Sequence, residues 1–403
     1  MPRLFSAGGP TLTEHERRFG PLPTMGSQQL VTSLDQAGLT GRGGAGFPTG
    51  RKVAAVTGRK AVVIGNGAEG EPLSFKDAVL LSRAPHRVLD GLAQAADAVG
   101  ARNVYMYVPA QLVSHVEAAL HDRRAAHRDR RRVIVVEAPD AFVAGEESAV
   151  IRRVEGGPAL PRDRTVIAAV SGVRGRPTLV SNVETLAHVA LVARHGPQWF
   201  RGIGDPVEPG TMLVTLSGAK IPGVVEVPTG TPLSDLLGTR AGELRAVLVG
   251  GYHGTWIPAS AVENGARLSR SGLTSLGGSP GAGVVHALSA SECGLARTAD
   301  IVAYLADAGA RQCGPCLNGL PRLAQLLGEI AYGRIDDALL HDTRRMIDQV
   351  EGRGSCRHPD GTARLIRSAL DVFADDIASH RRGRCRALVP ATAGSRPYAA
   401  EIK

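Results

Sequence analysis

From about residue 60 the apolar and polar positions change period in a regular rhythm. "AVVIG" (61–65) is an unbroken apolar run of strand length, the pattern of a strand buried on both faces. "PHRVLDGLAQAADAVG" (85–100) repeats its apolar positions every three or four residues and stops at Gly100, predicting a helix. "NVYMYVP" (103–109) predicts a second strand, "AQLVSHVEAALHD" (110–122) a second helix and "RRVIVVEAP" (131–139) a third strand. Strands alternating with helices of this length predict an α/β domain with a parallel sheet covered on both faces. Upstream, the apolar positions Leu30, Val31 and Leu34 in "SQQLVTSLDQAGLT" predict a short helix.

Beyond "GDPVEPG" the texture shifts. "TMLVTLSG" (211–218) and "GVVEVPTG" (223–230) alternate like a β-hairpin, followed by "TPLSDLLG" with Thr231 as N-cap and Pro232 at the first helical position. The strand "LRAVLVGG" (244–251) completes the order expected of a small β-grasp module. From about residue 287 no strand pattern remains. "TADIVAYLADAGA", "LPRLAQLLGEIAYG", "HDTRRMIDQVEG" and "TARLIRSALDVFADDIASH" predict a helical bundle, and the tail "VPATAGSRPYAAEIK" is expected to be disordered. No internal repeat is evident. The expected division is 1–50, an N-terminal segment with a glycine-rich loop; 51–207, the α/β domain; 208–286, the β-grasp (SLBB-like) module; 287–385, the helical domain; and 386–403, the tail.

Composition narrows the class of protein. The 403 residues are 43% hydrophobic, with 50 glycines and 25 prolines in no periodic order, which suits a soluble chain of several domains and excludes a collagen-like one. No apolar run reaches the roughly 18 residues of a membrane span, and the N-terminus has no secretory hydrophobic region, so a cytoplasmic location is expected, without direct membrane insertion. The net charge of +9 raises nucleic acid as a partner. Much of that charge lies in "HDRRAAHRDRRR" (121–132), where no aromatic residue interleaves to stack on bases. A solvated connector, with no nucleic acid, is the expectation. An odd count of five cysteines in a chain without an export signal points to metal or redox chemistry rather than a disulfide framework.

The stretch "GRGGAGFPTGRK" (41–52) calls for a tightly approached backbone. Gly41-x-Gly43-x-x-Gly46 has dinucleotide-fingerprint spacing, but a helix pattern precedes it where a strand is required, and it lacks the P-loop ending. A Rossmann-type phosphate loop, a flexible loop, and another phosphate or flavin cradle using Arg42 and Lys52 all remain open. Ligands of parallel sheets bind beyond the carboxyl ends of the strands. There "NGAEGEP" (66–72) and "AFVAGEES" (141–148) are candidates to share a pocket with the glycine loop.

Seven segments in order carry a resemblance: "GLTGRGGAGFPTGRK", "GNGAEGEPLSFKD", "AGEESAVIRRVEGGPALPR", "GRPTLVSNVETLAHV", the hairpin module, "CGPCLNGLPRLAQLL" and "GSCRHPDG". Over residues 25 to 386 the chain resembles the flavin-bearing NADH dehydrogenase subunit of respiratory complex I, a family also found in NAD-linked hydrogenases and formate dehydrogenases. The resemblance implies FMN held by Gly41, Arg42, Gly43, Gly44, Lys52, Asn66, Glu69, Gly145, Glu146, Glu147, Ser181, Asn182 and Thr185. It implies NADH or NADPH as substrate, with Phe47 stacking on the nicotinamide cofactor and Glu71 and Glu147 facing its pyrophosphate or ribose side. It further implies an iron–sulfur cluster on Cys313, Cys316 and Cys356, and a second redox subunit or membrane reductase as electron acceptor. Through that partner the chain could sit on the inner face of the membrane.

Departures from the family pattern are specific. Ala68 stands where an aspartate usually bonds the flavin ring, Phe142 replaces a tyrosine, and Ser181-Asn182 replaces an asparagine pair. Val53, Ala54, Ala55 and "TVIA" (165–168) stand where the family has further aromatic contacts to NADH. Ala310 replaces the first cysteine of the family's C-x-x-C-x-x-C. The site is then a [4Fe–4S] cluster with a non-cysteine or solvent ligand or Cys293, a three-cysteine cluster lacking one iron, or zinc on Cys313, Cys316, Cys356 and His358. Cys293 precedes Ala310 by about 17 residues across a predicted helix, roughly 20 Å, which makes it a poor substitute. Cys385 resembles a tail cysteine of hydrogenase relatives and receives no role. Two rival functions follow: a flavin/iron–sulfur electron-transfer subunit that does not use NADH, and a non-catalytic, zinc-stapled assembly subunit.

Overall fold

A computed structural model describes residues 3–58, 60–163, 166–238 and 242–387. The chain divides into two compact units, the first made of 1–70, 75–214 and 224–230 and the second of 71–74, 215–223 and 231–403. The expected tail lies outside the described residues from 388 onward.

The first unit is built on a parallel sheet of β1 (Val62–Asn66), β2 (Asn103–Pro109), β3 (Val133–Ala138) and β4 (Thr178–Asn182), in the order β3-β2-β1-β4. Alternation along the strands feeds two cores. Val63, Met106, Val108 and Leu179 join the cluster with Leu30, Leu89 and Leu186. Val62, Ile64, Tyr107 and Val180 join the cluster with Val150 and Ile151 on the other face. Burial on both faces explains the continuous apolar run of β1, whereas β3, at the sheet edge, stays partly exposed. β4 was not among the expected strands. "TLVSN" is short and ends in polar residues, and its place beside β1 is set by pairing along its whole length.

Helices Pro85–Ala98 and Val183–Arg201 pack closely because Gly91 lacks a side chain: a Cβ there would lie 1.8 Å from the Leu186 carbonyl oxygen. Most of the basic run is exposed, as a solvated connector requires, but Arg123 is not. Arg123 is buried and pairs with Asp90 at 2.9 Å and Asp129 at 2.8 Å, Arg128 pairs with Glu16, and Arg131 with Asp97. Arg123, Arg128 and Arg131 thus tie the run to the rest of the unit, while Arg124, Arg130 and Arg132 stay exposed.

The hairpin strands are β5 (Thr211–Ser217) and β6 (Gly223–Pro228), which are sheet neighbours. In the second unit Thr215–Ser217 of β5 pairs parallel with β9 (Val284–Ser289), while β7 (Leu244–Val249) pairs antiparallel with β9 and with β8 (Thr255–Pro258). The expected helix after the hairpin spans Leu233–Leu237 with Pro232 as its N-cap, one residue later than the sequence suggests. Helices Gly294–Asp307, Leu320–Tyr332, Asp337–Val350, His358–Val372 and Ala374–His380 form the helical region. The last expected helix is broken at Phe373, whose ring packs edge-on against buried Trp256 at 5.2 Å.

Candidate functional site

Asn66 and Asn182 are register partners at the carboxyl ends of β1 and β4. The chain runs outward from β1 through β2 and β3, then returns to the other side of β1 as β4, so β1 and β4 flank the point where strand order reverses. Crevices at such points are where doubly wound sheets take ligands, because the diverging loops leave the strand ends uncovered.

Three loops meet there. The glycine loop is pinched shut by Gly41 N–H to the Phe47 carbonyl, 2.9 Å, and Thr49 N–H to the Leu39 carbonyl, 2.8 Å. Gly44 and Gly46 take φ of 102° and 64°, which glycine adopts without strain. The loop rests on the end of β4: a Cβ on Gly43 would lie 3.2 Å from Asn182 Cβ, and the Arg42 N–H donates to Thr185 Oγ1 at 2.8 Å. The loop after β1 packs on the loop after β3. Asn66 Nδ2 donates to the Gly145 carbonyl at 3.0 Å, and Cβ atoms on Gly70 and Gly145 would lie 2.2 Å from Phe142 O and 2.8 Å from Ala68 O. Lys52 Nζ, 3.0 Å from Glu147 Oε1, joins the glycine loop's helix to the acidic loop.

Several expected ligands instead hold the cradle from behind. The Arg42 side chain is buried, with Nη1 donating to Thr40 Oγ1 at 3.1 Å and Nη2 to the Pro209 carbonyl at 3.2 Å. Thr185 is committed to the Arg42 amide. Glu146 caps helix Glu147–Val154, accepting from the amides of Ser148 at 2.8 Å and Ala149 at 3.2 Å. Asn182 caps the helix after β4 through Oδ1, and its Nδ2 donates to Asp77 Oδ2 at 2.6 Å. Ser181 is buried at the end of β4, Glu69 is half-buried, and Phe47 is exposed at the mouth of the loop, with Arg51 over its ring at 5.6 Å.

Glu71 has another occupation. It is buried in the second unit, its carboxylate accepting from the Tyr252 amide at 2.7 Å and the Leu73 amide at 3.3 Å. Burial raises its pKa to about 7 against the pull of those two donors. In this ligand-free chain the Glu71 carboxylate is taken up by these two amides. Thr165 of the "TVIA" segment lies outside the described residues, whereas Val166 and Ile167 are exposed.

Sequence reading missed the cluster beneath the site. Lys76 is buried between Asp77 at 2.7 Å and Glu184 at 3.0 Å. Burial opposes its charge, yet Asp77, Glu184 and Glu69 together hold the ammonium well above its ordinary pKa. Burial likewise opposes the Glu184 carboxylate, but Lys76 and His188 outweigh it and bring its pKa down to about 2. Glu184 also accepts from the Leu213 amide at 2.8 Å. "SFKD" and "NVETL" contain these residues, but only folding brings them together. A cavity of about 300 Å³ beside Asp90 and Arg123 opens near Val104 and Val133, toward the amino ends of β2 and β3, away from this crevice.

Cys313, Cys316 and Cys356 lie in the second unit. Cys316 is buried on a π-helical turn, Pro315–Gly319, an irregularity frequent at functional sites. Burial, then the neighbouring Cys313 and Cys356, push its thiol up to about 12 in the metal-free chain, while the Arg311 amide donates to its sulfur. Arg311 itself takes φ of 53°, a left-handed conformation uncommon outside glycine. His358 is occupied: Nε2 donates to the Leu305 carbonyl at 2.8 Å and Nδ1 bonds His253 at 3.1 Å. This disfavours the zinc set containing it. Among the described residues, donor atoms able to hold a single ion converge at Cys293, His380 and Cys385. Cys293 precedes the 14-residue helix Gly294–Asp307, about 21 Å long, and so stands apart from Cys313.

Comparison with known proteins accords with this layout. Residues 34–191 match the Nuo51 FMN-binding domain, and residues 291–380 match the NADH-ubiquinone oxidoreductase-F iron-sulfur binding region. The chain is 32% identical to an NADH-quinone oxidoreductase F subunit of Rhizobium meliloti, the one numbered 2, over 87% of its own length and 88% of that protein. It is 29% identical to the NADH-quinone oxidoreductase F subunit of Streptomyces coelicolor, over 94% and 89%. Its fold resembles an NAD+-reducing [NiFe]-hydrogenase chain with a TM-score of 0.80 at 30% identity, covering 87% of this chain and 62% of that one. The chain is an oxidoreductase belonging to the family of NADH-quinone oxidoreductase F subunits, with that family's FMN-binding domain and [4Fe–4S]-binding region.

Proposed function

We propose that the crevice between β1 and β4 holds FMN and takes hydride from NADH or NADPH, and that Cys313, Cys316 and Cys356 hold the cluster that passes electrons to a partner redox subunit. The observation that carries this reading is the meeting of the Gly41–Phe47, Asn66–Gly70 and Phe142–Glu147 loops at the strand-order switch point. The fit to a flavin nucleotide rests on side chains that are missing where backbone must come close: at Gly43, Gly70 and Gly145 a Cβ would crowd its neighbours. Bound FMN supplies a two-electron acceptor that can release electrons singly, and the cluster supplies a one-electron relay.

The chain's own residues bind and orient. Backbone of Gly43 and Gly44, with Lys52, would receive the phosphate. Asn66, Glu69, Gly145 and Glu146 would border the ring system. Phe47, exposed at the loop mouth, would stack on the nicotinamide cofactor with Glu147 beside it. Arg42, Asn182 and Thr185 act as positioning residues, the loop resting on the end of β4 through the Arg42–Thr185 bond and the Gly43–Asn182 contact, with Asn182 held by Asp77 and Ser181 buried beside it. Segment 208–286 fits a β-grasp module, which is supported by a hairpin whose first strand, β5, pairs parallel with the last, β9. Among the described residues no helix is long and apolar enough to cross a membrane.

The test uses the full chain reconstituted anaerobically with FMN, iron and sulfide. NADH or NADPH should bleach the flavin absorbance. A chain that retains FMN but is bleached by neither would overturn the dehydrogenase reading. A chain that takes up no FMN would overturn the cradle itself.

A further inference from the structure

Two cysteines lie outside the cluster set, and folding brings them together although 91 residues separate them in the sequence. Cys293 Sγ, Cys385 Sγ and a ring nitrogen of His380 all lie within 4.8 Å of one another, and Cys293 Sγ is 3.6 Å from His380 Nε2. Zinc–sulfur and zinc–nitrogen bonds of about 2.3 and 2.0 Å in a tetrahedron set a sulfur–nitrogen edge of about 3.6 Å. The donor chemistry, two thiols and one imidazole, is that of a zinc site with one position left for water. We propose that Cys293, His380 and Cys385 bind one Zn²⁺, separate from the iron–sulfur position, and that this ion staples the C-terminal segment to the helical region.

The surroundings build this site without the metal. Cys293 stands at the N-cap of helix Gly294–Asp307, and the amides of Leu295 and Ala296 donate to its sulfur, as suits a thiolate. His380 ends helix Ala374–His380, and a turn at Gly383, φ 67°, brings the chain back. That turn is closed by the Gly383 amide to the His380 carbonyl at 2.9 Å and the Arg384 amide to the Ser379 carbonyl at 3.1 Å. The segment is then clamped beyond the cysteine. Arg245 donates to the Arg386 carbonyl at 3.0 Å and to Asp376 at 2.9 Å, and Arg386 pairs with Asp375 at 3.0 Å. Cys385 is thus presented to Cys293 by bonds that owe nothing to the ion. Burial and the adjacent Cys385 raise the Cys293 thiol to about 11 in the metal-free chain, a cost that binding of a divalent cation to the deprotonated pair removes.

The test measures zinc, iron and flavin in the full chain and in Cys385→Ser, whose altered position is exposed and tolerant. The expected result is about one Zn²⁺ per chain in the parent and a loss of about tenfold or more in zinc affinity in the variant, with iron and FMN unchanged. Co²⁺ substitution should give the visible bands of a tetrahedral thiolate site in the parent and not in Cys385→Ser or His380→Ala. Parent-level zinc in Cys385→Ser, zinc that disappears in Cys356→Ser instead, or a Cys293–Cys385 disulfide by intact mass in chain purified under reducing conditions would each overturn the proposal.

Discussion

Lys52 Nζ sits 3.0 Å from Glu147 Oε1, tying the helix that closes the glycine loop to the helix that opens at the acidic loop. Both side chains are partly exposed, so the pair itself contributes about 0–1 kcal/mol to stability. Its value is positional. Lys52→Met should change the melting temperature little and weaken FMN binding by about tenfold, the cost of roughly one charge-assisted bond. Flavin fluorescence titration beside thermal unfolding separates the two effects; a large loss of stability with normal FMN affinity would refute the assignment.

Two glycines distinguish cradle from scaffold. Gly43 faces Asn182 Cβ, so Gly43→Val should abolish flavin retention while circular dichroism stays native. Gly91 lies under the Leu186 carbonyl at the helix crossing, so Gly91→Ala forces the helices apart and should destabilise the first unit by about 1–3 kcal/mol. Denaturant midpoints of the two variants provide the comparison.

The Lys76 cluster predicts acid sensitivity. Glu184 has its pKa lowered to about 2, so its contribution is present above the ordinary value near 4.5 and is lost as pH falls through 2. Glu184→Ala takes away one of the two carboxylates in direct contact with the buried ammonium and should cost about 3–5 kcal/mol at neutral pH. Urea unfolding at pH 7 and pH 3 should show the difference between parent and variant shrinking at the lower pH.

Glu71 predicts the opposite slope. Its pKa is raised from 4.5 to about 7, so it favours the folded state below pH 4.5 and that advantage disappears as pH rises through 7, a change of about 3 kcal/mol. Glu71→Gln should flatten the stability profile between pH 5 and 8 and be at least as stable as the parent at pH 8. A parent profile already flat across that window would contradict a buried, neutral carboxyl group.

The sequence by itself determined the alternating α/β domain, the helical region and the segments that meet at the site, because period, glycine density and ordered motifs are local properties. It also placed Cys313, Cys316 and Cys356 together by resemblance. Tertiary structure decided what each of these groups does. Arg42 and Thr185 turned inward to hold the loop, because a buried arginine demands acceptors, which Thr40 and Pro209 supply to its guanidinium. Glu71 was drawn to the amides of Tyr252 and Leu73. β4 became visible only through its pairing with β1, since five residues ending in Ser-Asn carry too little pattern of their own. Cys293 and Cys385, unassigned in the sequence, meet because a helix start and a clamped turn converge across 91 intervening residues, a proximity that no local pattern encodes.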